Sequence, residues 1–248
     1  MFKKVICTLL ASIIMSSACI AIFGGCSDNG SDDVSSVSSD EFIPHKFGKS
    51  DLTVNDKIRL CMTVEEVKAI LGEPDSEITN ANDDFIYGKY TNMKYGGLSL
   101  TFYDVSGGDE LTLGIINSSS ESDKFANGLS AGSSSEELFY VFTKSEDNLP
   151  LYFGGLEDCY GSYVYGSYTS EAFIEEKPME EIQYAYINKW GVDNGYENEY
   201  TIEYYYFDPL EWNDEQTKYS GSYYSMIFYM DAESDLVTSI SLTYNAIL

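Results

Sequence analysis

Hydrophobic and polar positions divide the chain into three stretches. From Val5 to Phe23 the residues are apolar, broken only by small ones such as Ser12, Ser16 and Ser17. Residues 27 to 41 read SDNGSDDVSSVSSDE, with Val34 and Val37 the only apolar side chains. Such a stretch buries too little surface to fold and reads as a tether. From Phe42 onward apolar residues recur with the periods of secondary structure.

Two segments carry the same helix start. Thr63-x-x-Glu66 and Ser134-x-x-Glu137 are capping boxes, in which the hydroxyl accepts from the third helical amide and the carboxylate reaches back to the cap amide. Apolar residues follow at helical spacing, Val67, Ile70 and Leu71 in one and Leu138, Val141 and Phe142 in the other, the buried stripe of a short helix. The two segments superpose at a constant offset of 71 residues, with Ile58 on Leu129 and Val67 on Leu138. Gly72 and Pro74 stop the first helix.

Period-two alternation follows each helix. It predicts strands at 85–90, 97–104 and 110–117, and then at 159–168, 180–189, 199–208, 222–231 and 236–244. Gly107-Gly108 and the acidic stretch 232–235 read as turns between them. The expected fold is α+β: two repeats of a short helical element plus an antiparallel meander, residues 42–125 and an expanded 126–248. Helices would cover one face of the sheet and leave the other open.

The beginning of the chain has its own pattern. Lys3 and Lys4 precede the apolar run, which ends in Phe23-Gly24-Gly25-Cys26. A positive end, an apolar core and small residues at the cut describe an export signal. The last four residues resemble the lipobox of bacterial lipoproteins, with Phe23 where Leu is usual. That resemblance implies cleavage after residue 25, a diacylglyceryl group on the Cys26 thiol, and a tether over 26–41. The remainder would then be held at the cell membrane, facing outside the cytoplasm, because two acyl chains anchor stably. The alternatives are an uncleaved membrane anchor, for which the run is long enough, and an ordinary cleaved signal.

The stretch Met62 to Asp75, MTVEEVKAILGEPD, resembles the helix–turn segment of the β-lactamase inhibitory protein fold and of SmpA-type envelope lipoproteins. Those families continue into a meander with a Tyr and a Leu-x-Phe strand, for which Tyr87 or Tyr90, Leu100 and Phe102 stand here. Cys61 replaces the Gly usual before the helix, whereas Gly132 keeps it in the second segment, which lacks Leu-Gly-x-Pro. The resemblance implies a binding sheet rather than a reaction, and fold likeness alone does not assign a function.

Charge narrows the partners. The chain has 41 Asp+Glu against 14 Lys+Arg, a net charge of −27, and two of those cations lie in the leader. Such a surface is repelled by nucleic acid and by anionic lipid headgroups. Basic surfaces, divalent cations and neutral glycans remain, as does solubility alone. Of five cysteines, Cys7 and Cys19 leave with the signal and Cys26 is the lipidation site. Cys61 and Cys159 either pair in an oxidising compartment or act as two small buried hydrophobes.

No catalytic constellation is legible. The sole histidine, His45, stands beside Pro44 at the edge of the tether and reads as a surface residue. Serine and cysteine nucleophiles therefore lack a base, and neither zinc-ligand nor calcium-loop spacing occurs. The glycine pairs are turns, not phosphate loops. Carboxylates are too abundant for any two to signal a glycosidase. No metal and no cofactor is expected.

Tyrosine is the outlying residue type. All 22 lie after residue 86, several at period two, as in Tyr163/Tyr165, Tyr184/Tyr186 and Tyr204/Tyr206. Tyrosine combines large contact area with a polar tip and little entropy loss. The candidate binding face comprises Tyr103, Tyr163, Tyr165, Tyr204, Tyr206, Tyr223 and Tyr229, against the alternative that tyrosine only fills sheet faces. The expectation is a non-enzymatic module binding a protein, peptide or glycan. A structural envelope-assembly lipoprotein is the alternative, and a cell-wall or carbohydrate hydrolase the third.

Overall fold

The computed structural model describes residues 43–80, 89–104, 110–144, 150–152, 159–166, 182–189, 192, 197–208, 211–212 and 219–247. Of these, 150–152, 159–160, 182, 211–212, 219–221 and 246–247 are described for backbone alone. The leader, the tether and Cys26 lie outside the described residues.

A 3₁₀ turn at Lys49–Asp51 and a small hairpin of β1 (Thr53–Val54) and β2 (Ile58–Arg59) precede helix α1 (Val64–Leu71). Strands β3 (Ser76–Asn80), β4 (Tyr90–Tyr95), β5 (Leu98–Tyr103) and β6 (Thr112–Ser118) follow. Helix α2 (Ser135–Val141) opens the second half. It leads to β7 (Pro150–Tyr152), β8 (Cys159–Tyr165), β9 (Ile182–Asn188), β10 (Glu199–Phe207), β11 (Glu211–Trp212), β12 (Tyr219–Asp231) and β13 (Val237–Ile247).

The strands form one antiparallel sheet in the order β3-β4-β5-β6-β13-β12-β10-β9-β8-β7, with β11 beside β12. Each half runs from an outer edge inward. Their last strands meet in the middle, with Leu242 opposite Ile116.

This corrects the expected α+β class. Strands account for 52% of the interpretable structure, and the helices are two short elements of eight and seven residues. The helices stop early for local reasons. Gly72 takes φ +81 and closes on the Lys68 carbonyl, and Phe142 turns to extended backbone. The aromatic sequence beyond residue 198 instead sustains strands of nine to thirteen residues, as its β-propensity favours.

Both helix starts form as the capping boxes require. Thr63 Oγ1 accepts from the Glu66 amide at 3.2 Å, and Glu66 Oε2 accepts from the Thr63 amide at 2.9 Å. Ser134 and Glu137 repeat this at 3.2 and 2.8 Å. The loops before the caps dock alike as well. Cys61 N–H donates to the Leu113 carbonyl, and Leu113 N–H to Met62. Gly132 N–H donates to the Val237 carbonyl, and Val237 N–H to Ser133. All four bonds measure 2.8 Å. Cys61 (φ +67) and Gly132 (φ +84) share the left-handed conformation that this docking needs. A non-glycine residue is strained there by about 1–2 kcal/mol.

The core lies on one face of the sheet. Leu100, Phe102, Ile116, Ile202, Tyr204, Met226, Phe228 and Leu242 point into it. Phe47, Val54, Ile58, Val67, Leu138 and Phe142 cover them from the preceding segments and the helices. Two features differ from the alternation pattern. Strand β3, unforeseen, is an exposed edge strand with no buried face to mark it. Most of the strand expected at 85–90 lies outside the described residues.

Candidate functional site

The face opposite the core is set by register. Between β9 and β10, Glu203 pairs with Tyr186 and Tyr205 with Tyr184. Between β10 and β12, Phe207 pairs with Tyr223 and Thr201 with Tyr229. Paired residues point to the same side. Ile202, Tyr204 and Tyr206 point to the core, so Thr201, Glu203, Tyr205 and Phe207 form the outer face of β10. None of Tyr184, Tyr205, Phe207 and Tyr223 belongs to the core cluster.

The rings on this face form a continuous row. Tyr184 stacks on Tyr205 with centroids 4.9 Å apart and planes 13° from parallel, and Tyr186 on Tyr205 at 5.8 Å and 12°. Phe207 stacks on Tyr223 at 5.1 Å. Tyr163 meets Tyr186 edge-on at 6.3 Å. Each such pair adds about 0.5–1.5 kcal/mol beyond area burial.

Glu203 sits within the row, 9% exposed, and is the one charged side chain among these positions of β10 and their partners. Tyr186 and Tyr205 both donate to its Oε2 at 2.7 Å, and Thr201 donates to Oε1 at 2.7 Å. Burial, and then the nearby Glu203 charge, push both phenols well above the ordinary tyrosine range. They therefore stay protonated and hold the carboxylate as donors. Beyond β12 the face turns to small uncharged polar residues, including Ser239, Ser241, Thr243 and Asn245 on β13 and Asn117 on β6.

The seven predicted tyrosines divide between the two faces. Tyr163, Tyr223 and Tyr229 lie on the outer face, half-buried. Tyr165, Tyr204 and Tyr206 belong to the core, which corrects their assignment to a binding face. Tyr165 Oη accepts from the Phe47 amide at 3.0 Å, and Tyr206 reaches Asp208. Tyr204 is completely buried, and its hydroxyl has no hydrogen-bond partner among the described residues. Tyr163 and Tyr165 part company because β8 shifts register between them, pairing Tyr163 with Tyr186 but Tyr165 with Ala185. Tyr103 is 2% exposed and structural: its hydroxyl donates to the Tyr244 carbonyl at 2.5 Å. Its ring lies so close over Gly114 that a Cβ there would come within 2.1 Å.

Sequence reasoning did not assign Tyr184, Tyr186, Glu203, Tyr205 and Phe207 to the face. A usable signal lay in the parity of Glu199, Thr201, Glu203 and Tyr205 against Tyr200, Ile202, Tyr204 and Tyr206. The first set is polar and marks the outward side.

His45 is anchored, contrary to the expectation of an unpositioned surface residue. Its Nε2 lies 2.9 Å from Asp51 Oδ1, its ring 5.5 Å from that of Phe142, and its backbone pairs with Phe142. Asp51 is buried, and its other oxygen accepts from the Gly48 amide. The pair closes the first turn, and among the described residues no hydroxyl or thiol bonds to the ring. Cys61 is a free thiol, whereas the side chain of Cys159 lies outside the described residues. Cys61 is exposed rather than the buried hydrophobe expected, yet partial desolvation by its neighbours raises its pKa, and Arg59 partly opposes this. Among the described residues no three His, Cys, Asp or Glu side chains are grouped to hold a metal ion. No helix there is long and apolar enough to cross a membrane.

No protein-family model, no curated protein and no solved structure matches this chain. The likeness of residues 62–75 to the inhibitory-protein and SmpA-type families therefore rests on that motif.

Proposed function

We propose that the chain is a lipid-anchored extracytoplasmic binding module that engages a protein or peptide partner through the outer sheet face centred on Glu203. The supporting observation is the stacked row of Tyr184, Tyr186, Tyr205, Phe207 and Tyr223 around one carboxylate, continued by Ser, Thr and Asn. Tyrosine with serine and asparagine is the composition of antibody paratopes, where rigid aromatic anchors combine with adaptable hydrogen bonding. Along Thr201–Phe207 and its register partners Glu203 is the one charged side chain among the described residues, although the chain is strongly acidic, and depletion of charge marks interface cores. The Phe-Gly-Gly-Cys box and the tether would hold the module at the membrane surface.

The test is proximity crosslinking on intact cells. Tyr163→Ala, Tyr223→Ala and Tyr229→Ala are compared with Tyr140→Ala, an exposed tyrosine on α2. A tyrosine anchor contributes about 2 kcal/mol. Each face variant should therefore lose crosslinked partner by roughly thirtyfold while remaining folded, its melting temperature lowered by no more than about 2–6 °C, whereas Tyr140→Ala should keep its crosslinked partner. Equal crosslinking in all four variants, or partner capture that only glycosidase treatment abolishes, would refute the reading. The anchor is tested separately. Cys26→Ser should lose fatty-acid labelling and membrane association, and retention of both would remove the lipoprotein assignment.

A further inference from the structure

On the core side of the sheet, away from the aromatic row, a cavity of about 590 Å³ opens between the 3₁₀ turn, the β1–β2 hairpin and β12. That volume is in the range of small-molecule sites. Arg59, Lys49 and the Tyr224 phenol face it, with Leu60, Met62 and the free thiol of Cys61.

Arg59 is the only arginine among 248 residues. In a chain with 41 carboxylates, it pairs with none of those described. Lys49, by contrast, is held by Asp208 at 2.6 Å. Glu66 also borders the cavity, but its Oε2 is occupied by the Thr63 amide. Burial, then Asp208 and Cys61, push the Tyr224 phenol up to about 12, so it remains a donor at neutral pH.

The second half of the chain contains the same cavity in reduced form. At the 71-residue offset, Arg59, Leu60, Cys61, Met62 and Glu66 correspond to Ser130, Ala131, Gly132, Ser133 and Glu137. Those five residues line a separate cavity of about 350 Å³. Only the capping glutamate is common to both. In the second copy the other four positions carry small residues, whereas the first copy has a guanidinium, a thiol and two apolar side chains. Cys61 keeps its strained backbone where its counterpart is glycine. Structural need explains the loop in both copies, but it does not explain why one is furnished with the chain's only guanidinium.

We propose that the first cavity binds a small organic anion, its carboxylate or phosphate gripped by Arg59 and its apolar body resting on Leu60 and Met62 beside the Cys61 thiol. The planar guanidinium suits such heads because two parallel N–H donors match two oxygens. The net acidity of the chain opposes anions at long range, but salt screens that field beyond about 8–10 Å while the contact itself persists.

Phenyl phosphate is the probe, titrated calorimetrically into the intact chain in neutral detergent at fixed ionic strength. Alkylation of Cys61 is followed in parallel by peptide mass spectrometry. The expected result is a Kd of about 1 mM or tighter and slowed Cys61 alkylation. Arg59→Ala should weaken binding roughly tenfold, the loss of one charge-assisted contact, and Arg59→Lys should recover only part of it. Inorganic phosphate, lacking the apolar body, should bind less well. Absence of both heat and Cys61 protection in the wild type would overturn the proposal. So would equal affinity in wild type and a folded Arg59→Ala. The aromatic-row variants should bind the probe unchanged, so this test and that of the partner face fail independently.

Discussion

Tyr204 and Tyr165 lie side by side in the core, with ring centroids 6.1 Å apart, and removing the same atom from each should move stability in opposite directions. The Tyr204 hydroxyl is fully buried and unpaired among the described residues. A buried polar group without a partner costs about 1–3 kcal/mol, and loss of one oxygen leaves a gap smaller than a methyl group. Tyr204→Phe should therefore stabilise the chain by about 1 kcal/mol. Tyr165→Phe does the reverse. It strands the buried Phe47 amide, whose bond to Tyr165 Oη is 3.0 Å, and should destabilise by about 1–3 kcal/mol. For a domain of this size each kcal/mol moves the melting temperature by about 2–4 °C. Urea titration with a constant m-value gives the difference directly. A destabilising Tyr204→Phe would refute this account. That outcome would mean an ordered water or a shifted side chain already satisfies the hydroxyl.

Two further outcomes follow from particular groups. Tyr186, Tyr204 and Tyr205 are all raised in the folded chain, chiefly by burial, while unfolded tyrosine titrates near 10. Their contribution is thus complete below about pH 10 and falls as pH rises beyond it, because only the unfolded chain releases those protons there. Tyrosinate absorbance should then appear in two steps, the second coinciding with unfolding; a single smooth titration in the folded state would contradict this. Gly132→Ala should cost about 1–2 kcal/mol from its left-handed backbone, since the added Cβ meets nothing closer than 3.4 Å. Cys61→Gly should be neutral or mildly stabilising, and urea midpoints that reverse this order would show that the two loops are not equivalent.

What was legible in the sequence was local. The capping boxes at Thr63 and Ser134 form as read because donor and acceptor are three residues apart and need no tertiary partner. Strands β5, β6, β9, β10, β12 and β13 overlap the alternating runs because one face of each is buried. The balance of the fold was not legible, since two strong helix starts say nothing of how soon each helix stops. Gly72 and the extended Phe142 limit both to about two turns, and the sheet dominates. The face of each tyrosine was missed for a related reason. Tyr204-Tyr205-Tyr206 carries aromatic residues on both parities, so hydrophobicity alone cannot orient β10. Glu199, Thr201 and Glu203 against Ile202 break the tie. The register shift in β8 adds a residue whose effect no periodicity records, and it sends Tyr163 and Tyr165 to opposite sides.

The loop before each helix is built alike in both halves. In each half the loop before the helix docks on the innermost strand through the same two backbone bonds and leaves a hollow beside it. Backbone hydrogen bonds do not depend on side chains, so the hollow persists whatever residues line it. Its lining is then free to change, with one constraint, the left-handed residue two before the cap. Glycine meets that constraint at no steric cost, as in the second copy. A side chain there is strained, and the one present, Cys61, stands with the only arginine in the lining of the first cavity. The two proposed sites have separate origins. The outer face acquires its surface from strand parity and the inner cavity from a repeated loop, and neither needs the other to form.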